Sequence, residues 1–218
     1  MGQRGTVTAI EVQKQHPHRR SIFVDGVFRL GIDAEVILRS GLQVGQILDD
    51  GDVENLLLCE EEKRAREYAL NLLSFHDRSC REISDRLRQK GFEAETERRV
   101  VSSLVEAGLL DDARLARQWG AERLSNRPMG ARLLAAELRR KGIDRETIDL
   151  TVEELYAGDG ERSLAVRALA ARQDRYRTLE RPVAFRKMAD FLLRRGFSWE
   201  VAEEAIKEFI ENERSGEE

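Results

Sequence analysis

Apolar residues in this chain recur on two different periods. Near the start they alternate with polar ones or are β-branched, in Thr6-Val7-Thr8-Ala9-Ile10-Glu11-Val12, in Ser21-Ile22-Phe23-Val24 and in Val27-Phe28-Arg29-Leu30. Period two is the mark of a strand with one buried face, so these segments predict strands. Asp25-Gly26 between the last two is a short hairpin signal. Asp33 can cap a brief helix through Leu38, and Gly41, Gly45 and Gly51 punctuate the residues after it. Further along, the period becomes helical: Ala65, Tyr68, Ala69, Leu72 and Leu73, then Leu115, Ala116 and Trp119, then Leu164, Ala168 and Leu169.

Over the helical stretch a single phrase recurs three times. It reads Leu87-Arg88-Gln89-Lys90-Gly91-Phe92, Leu138-Arg139-Arg140-Lys141-Gly142-Ile143 and Leu192-Leu193-Arg194-Arg195-Gly196-Phe197, with the glycines 51 and 54 residues apart. Other registers recur with it. Eight before each glycine is Ile83, Leu134 or Met188; ten after is Val101, Val152 or Ile206; thirteen after is Leu104, Leu155 or Phe209. Near-constant spacing means tandem copies of one structural unit. Residues four apart share a helical face, so positions −8 and −4 predict the buried side of a helix. The glycine ends that helix, since it adopts left-handed backbone without the penalty of a side chain. The cation just before it suits the negative end of the helix dipole.

Helix starts agree with this frame. Ser79-Cys80-Arg81-Glu82 is a capping box. Pro128 and Pro182 each stand fourteen residues before a glycine, where a first helical turn tolerates proline. Asp144 and Ser198 can cap the helices that follow the second and third glycines. The expected fold is mainly α: three tandem three-helix repeats in an elongated array, preceded by a small N-terminal module containing a β-hairpin. The expected boundaries are 1–60 for that module, then 61–110, 111–157 and 158–218 for the repeats, with a polar end from 212 that frays.

Composition narrows the function. Of the 218 residues 36 % are charged and 6 % aromatic, and the net charge is −4, so the chain is not a globally basic nucleic-acid binder. The charge is uneven. From Arg127 to Arg145 there are six cations against Glu137 and Asp144, a local stripe that suggests one anionic contact. Cys59 and Cys80 have no metal-ligand spacing and read as reduced thiols. No apolar run resembles a signal peptide or approaches a bilayer span, which predicts a cytoplasmic protein without membrane contact.

Catalytic constellations are missing from the sequence. His16-Pro17-His18 reads as a solvated loop between strands and His76 as a turn residue. There is no phosphate-binding loop, no HExxH and no nucleophile elbow. Asp111-Asp112 follows a helix-ending Gly108, where carboxylates cap the next helix, so a metal is not required. The expectation is a protein that is not an enzyme, with no catalytic or metal-binding residues and no cofactor. The basic registers carry the functional candidate: Arg88, Lys90, Arg132, Arg139, Arg140 and Lys141. They suit phosphate neutralisation, and equally an acidic protein surface.

The ordered set of motifs resembles one family. The repeated Leu-Arg-x-Lys-Gly-Phe/Ile phrase, Gly108-Leu109-Leu110-Asp111-Asp112 followed by Leu115-Ala116, and Arg78-Ser79 leading to Glu82 are similar to the RecX family, regulators of the RecA recombinase. So are Arg127-Pro128-Met129-Gly130 followed by Glu137-Leu138, and the N-terminal Val24-Asp25-Gly26 and Gly41-Leu42 with Gly45. The resemblance implies a monomer lying in the helical groove of a RecA filament, damping ATP turnover, strand exchange and recombination. It also implies weak backbone contacts to single- and double-stranded DNA. The third copy departs most, with Leu193 and Arg195 at positions that hold arginine and lysine elsewhere. A helix-turn-helix, sequence-specific DNA-binding regulator is the alternative that the residues leave open, and a protein-only scaffold with a merely soluble basic face is another.

Overall fold

The structure, a computed structural model, describes residues 4–215. It divides into two compact units, Met1–His76 with Ile83–Ala107, and Asp77–Glu82 with Gly108–Glu218.

The first unit opens with strands β1 (Gly5–Val12), β2 (Arg19–Val24) and β3 (Val27–Asp33), helix α1 (Ala34–Ser40) and strand β4 (Ile47–Leu48). They form an antiparallel sheet in the order β3-β2-β1-β4. Asp25 and Gly26 both take positive φ, 50° and 79°, the pair of values that matches a two-residue turn to the twist of its strands. Val7, Ile22, Leu30, Ile32, Val36, Leu42, Leu48 and Leu56 bury together beneath the sheet. Asp33 caps α1 as expected, accepting the Glu35 N–H at 2.9 Å.

Helix α2 (Asp50–Leu73) starts well before the helical period becomes visible near residue 61. Asp49 and Asp52 explain the early start: each carboxylate accepts the other's backbone N–H, at 3.0 and 2.9 Å. An aspartate in place of the usual glutamate hides this box from a sequence template. The helix is tied to the sheet by Glu60, 5 % exposed, which accepts the Asp33 N–H at 2.7 Å and an Arg19 guanidinium. Lys63 adds an ion pair to Asp33 at 3.3 Å. Helices α3 (Cys80–Lys90) and α4 (Ala94–Glu106) follow. Ala65, Ala69, Ile83, Leu87, Val100 and Leu104 are removed from solvent, each large side chain contributing about 1.5–3 kcal/mol.

The second unit holds α5 (Asp112–Asn126), α6 (Ala131–Arg140) and α7 (Arg145–Leu155), closed over Leu115, Ala116, Leu124, Leu134, Leu138 and Ile148. Then come α8 (Gly160–Ala170), a 3₁₀ turn (Gln173–Arg175), α9 (Arg181–Arg194) and α10 (Trp199–Ser215), around Leu169, Met188, Leu192, Phe197, Ile206 and Phe209. Leu164 packs against both cores.

The three glycine corners have one geometry. Gly91, Gly142 and Gly196 take φ of 91°, 86° and 86°. At each, the glycine N–H donates three residues back at 3.0 Å, and the next N–H donates five residues back at 3.2 Å, to Leu87, Leu138 or Leu192. That pair of bonds is the Schellman stop, which satisfies carbonyls left over at a helix end. Ser79 with Glu82, Asp144 and Ser198 cap as expected.

One expectation is corrected. Pro128 lies outside α6, because Gly130 takes the cap position and the helix starts at Ala131; Pro182 does stand in the first turn of α9. Position +10 is buried at Ile206 and half-buried at Val101 and Val152, and position +13 is buried at Leu104 and Phe209; Val100, Thr151 and Ala205, one residue earlier, complete the same buried face. Helix α10 includes the first residues of the polar end, to Ser215, and 216–218 lie outside the described residues.

Candidate partner-binding surface

Arg132, Arg139 and Arg140 stand at i, i+7 and i+8 on α6, so they share one stripe. Leu134 and Leu138 on the opposite side are fully buried, which turns the arginines to solvent, and Arg139 and Arg140 are well exposed at the helix end. Glu137 does not cancel the stripe. Its carboxylate is already taken by Arg123, at 2.9 and 3.4 Å, and reaches Arg140 only at 3.8 Å. Arg139 has no ion-pair partner among the described residues. The field of Arg132 extends to Glu200, whose carboxyl lies below its usual range chiefly through its own backbone N–H and the Ser198 hydroxyl, with that arginine adding to them.

Lys141 is placed differently. Its ammonium sits 5.4 Å from the Trp119 ring centroid and 3.6 Å from Glu82, and its carbonyl accepts the Ser79 hydroxyl. A Cβ on Gly142 would meet Arg81 Cβ at 2.5 Å. The third corner repeats the arrangement. The Gly130 N–H donates to the Arg195 carbonyl at 2.9 Å, and the Arg195 guanidinium donates to the Pro128 carbonyl at 3.1 Å. A Cβ on Gly196 would meet the Leu133 backbone nitrogen at 2.6 Å. These two corners are therefore joints, each seated on the start of an earlier middle helix.

In the first unit, Arg88 is paired with Asp85 at 2.7 Å and Glu97 at 3.3 Å, and exposed Lys90 lies 5.8 Å from the Tyr68 ring. Of the six predicted cations, three thus form one solvent-facing stripe, one is a joint residue, and two stand on α3. Sequence reasoning missed Arg123, Glu137 and Trp119, which fix the underside of that stripe. A tryptophan on a neighbouring helix beside a basic helix end was the available signal.

The other candidates have structural roles. Asp111 caps α5 through the Arg114 N–H at 2.8 Å, and Asp112 accepts the Cys80 N–H at 2.9 Å. Burial, followed by the nearby Asp112 charge, pushes the Cys80 thiol up to about 11, which leaves it inert as a nucleophile. His16 and His18 stand 6.1 Å apart between β1 and β2. Among the described residues no cluster of His, Cys, Asp and Glu is placed to hold a metal, and no helix is long and apolar enough to cross a membrane. An open groove of about 360 Å³ in the N-terminal module has Ile10, Ile37, Leu38 and Leu42 in its wall, with Arg20 its single charged residue.

Known proteins match most of this chain. The model for the regulatory protein RecX N-terminal domain covers residues 5–49. The models for the first, second and third three-helix domains of RecX cover 65–104, 111–151 and 161–206. The chain belongs to the RecX family. A regulatory protein RecX from Mycobacterium sp. (strain JLS) is 38 % identical over 157 residues, which is 70 % of this chain and 85 % of that one. One from Clostridium perfringens (strain SM101 / Type A) is 27 % identical over 96 % of this chain and 98 % of its own. Two solved structures share the fold at 23 % identity. A crystal structure of regulatory protein RecX superposes with a TM-score of 0.78 over 93 % of this chain and 99 % of that one. The structure of RecX from Lactobacillus salivarius gives 0.64 over 68 % and 96 %. The expected fold class thus holds in its components: three tandem three-helix domains behind a small antiparallel module.

Proposed function

We propose that this RecX-family chain is a cytoplasmic monomer that binds the filament formed by a RecA-type recombinase on DNA, and that it mostly damps ATP turnover, strand exchange and recombination. The observation that carries the reading is the Arg132–Arg139–Arg140 stripe, set on a helix whose other face is locked into a core. Such a stripe suits an anionic surface opposite it. A filament offers one that repeats, so a second, weaker patch at Arg88 and Lys90 gains from effective concentration once the first is bound. Contacts to the DNA itself are to phosphates and weaken steeply with salt. Lys141 belongs to the fold rather than to the contact, because Glu82 and Trp119 already hold it.

The test is single-stranded-DNA-dependent ATP hydrolysis by a RecA-type recombinase, with this protein titrated in. The native chain is expected to slow turnover. Arg139→Glu with Arg140→Glu is expected to abolish the effect while the circular dichroism spectrum stays helical. A folded double variant that still inhibits as well as the native chain removes the stripe from the contact. No effect of the native chain at any ratio removes the function.

A further inference from the structure

A denser group of positive charge lies in the second unit, apart from the α6 stripe. Its centre is Phe191, 6 % exposed, on α9. Two guanidiniums lie against this ring, Arg172 with its central carbon 4.4 Å from the centroid and Arg195 at 5.2 Å. Burial first, and then the charges of Arg127 and Arg172, lower the proton affinity of Arg195. Burial raises the Tyr176 hydroxyl above its ordinary range, against the charges of Arg172, Arg175 and Arg194, which lower it. Two arginines therefore lie against one buried ring, and the charges of Arg127, Arg175 and Arg194 are felt at this cluster.

None of the five has an ion-pair partner among the described residues. Asp174, Glu180 and Asp190 are close in sequence but do not form ion pairs with them there. Like charges gathered without a counter-charge repel, so the arrangement calls for an anion from outside. A guanidinium held against an aromatic face is pre-organised and keeps its donor edge free. Arginine forks match the oxygens of phosphate in pairs. A protein partner would want an apolar anchor at the centre of such a patch. Here the Phe191 ring is buried under the guanidiniums and cannot serve as one. For the same reason it cannot stack on bases. What the cluster presents is charge and N–H donors.

We propose that Arg127, Arg172, Arg194 and Arg195 form a phosphodiester-binding site for the backbone of a nucleic-acid strand, without base readout. Three of the four residues sit in the third copy of the repeat, the copy whose sequence departs most from the shared phrase, and Arg127 comes from the second. Arg195 both closes the joint to Pro128 and contributes charge, which accounts for arginine where the other copies hold lysine. The site deepens the function proposed for the chain only in that a nucleoprotein filament offers such phosphates.

The experiment leaves the recombinase out, so the two readings fail separately. Fluorescence anisotropy of a labelled oligothymidylate is followed with the full chain across a series of salt concentrations. Arg172→Gln with Arg194→Gln is expected to weaken binding about tenfold and to flatten the log–log salt slope by roughly 0.7 for each phosphate no longer held. Arg194→Gln alone, at an exposed helix end, is expected to move both readouts the same way by less, and it guards against misfolding of the double variant. Unchanged affinity and slope in both variants, with native helicity, overturn the site. Loss of binding to polyglutamate with oligothymidylate binding intact also overturns it, in favour of an acidic protein surface.

Discussion

The backbone N–H of Gly130 donates to the carbonyl of Arg195 at 2.9 Å, and the Ser79 hydroxyl does the same for Lys141. In each case the residue before a glycine stop offers a helix-end carbonyl, which no intrahelical donor can reach, to the residue just ahead of a middle helix. Ser79 uses its hydroxyl twice, since the same oxygen accepts the Glu82 N–H at 3.1 Å. Ser79→Ala therefore removes a helix cap and orphans a carbonyl together. The expected cost is about 2–3 kcal/mol. Urea unfolding showing a loss well below one kcal/mol would mean that the joint is not held here.

The glycines should not be equivalent. A Cβ on Gly91 meets open space, so Gly91→Ala carries only the strain of its left-handed backbone, about 1 kcal/mol. Gly142→Ala adds a collision with Arg81, and Gly196→Ala one with the Leu133 backbone. Gly130 has ordinary φ, yet a Cβ there would overlap the Gly196 carbonyl group. Stability is expected to fall in the order Gly91, Gly142, then Gly196 and Gly130 as the most damaging. Equal melting temperatures for the Gly91→Ala and Gly196→Ala variants would contradict the joint.

Lys141 and Arg139 should separate by assay. Lys141→Gln loses a cation over Trp119 and an ion pair to Glu82, together about 1 kcal/mol. It should leave recombinase regulation intact once the variant is folded. Arg139→Gln, which breaks no ion pair among the described residues, should leave stability unchanged within about 0.5 kcal/mol and weaken regulation. Denaturation and ATPase titration on the two variants check both halves, and the reverse pattern would reassign the residues.

Two aspartates should respond to pH in opposite senses. Burial raises Asp112 above its ordinary 3.8, more than the Cys80 N–H lowers it. The folded chain then holds that proton more tightly than the unfolded one. Its contribution is fully present below 3.8 and is lost as pH rises through the folded value. Asp33 is the reverse case. Burial pushes it up, but the Glu35 N–H and the Lys63 ammonium outweigh burial and bring it below 3.8. Its contribution is present above 3.8 and is lost as pH falls through the folded value. At neutral pH, Asp112→Asn is expected to be neutral or stabilising, since the amide oxygen can still accept the Cys80 N–H, whereas Asp33→Asn is expected to destabilise. Unfolding midpoints measured on both variants across the acid range would show whether the signs hold.

The corners, the caps and the hairpin were legible because each is written in a few adjacent residues. A left-handed glycine followed by an apolar residue, or a serine three before a glutamate, means the same thing in most folds. The start of α2 was hidden by an unusual pair of capping aspartates, and β4 is two residues long, too short to show a period. The role of Lys141 could not be read at all. In the sequence it is the last of three consecutive cations, and what distinguishes it is Ser79, 62 residues away. The Phe191 cluster was hidden in the same way, since Arg127, Arg172 and Arg195 are gathered by packing and not by spacing. Local grammar supplied the bricks, while the mortar and the arginine sites depended on tertiary neighbours.

Twelve residues before Gly91 and Gly142 stand Ser79 and Gly130, the two donors that hold a later corner. The same step back from Gly196 reaches Ala184, whose N–H already donates to Glu180 at 2.9 Å, because α9 begins a turn sooner than its counterparts. One premature helical turn thus occupies the donor that Ser79 and Gly130 leave open for a later glycine corner.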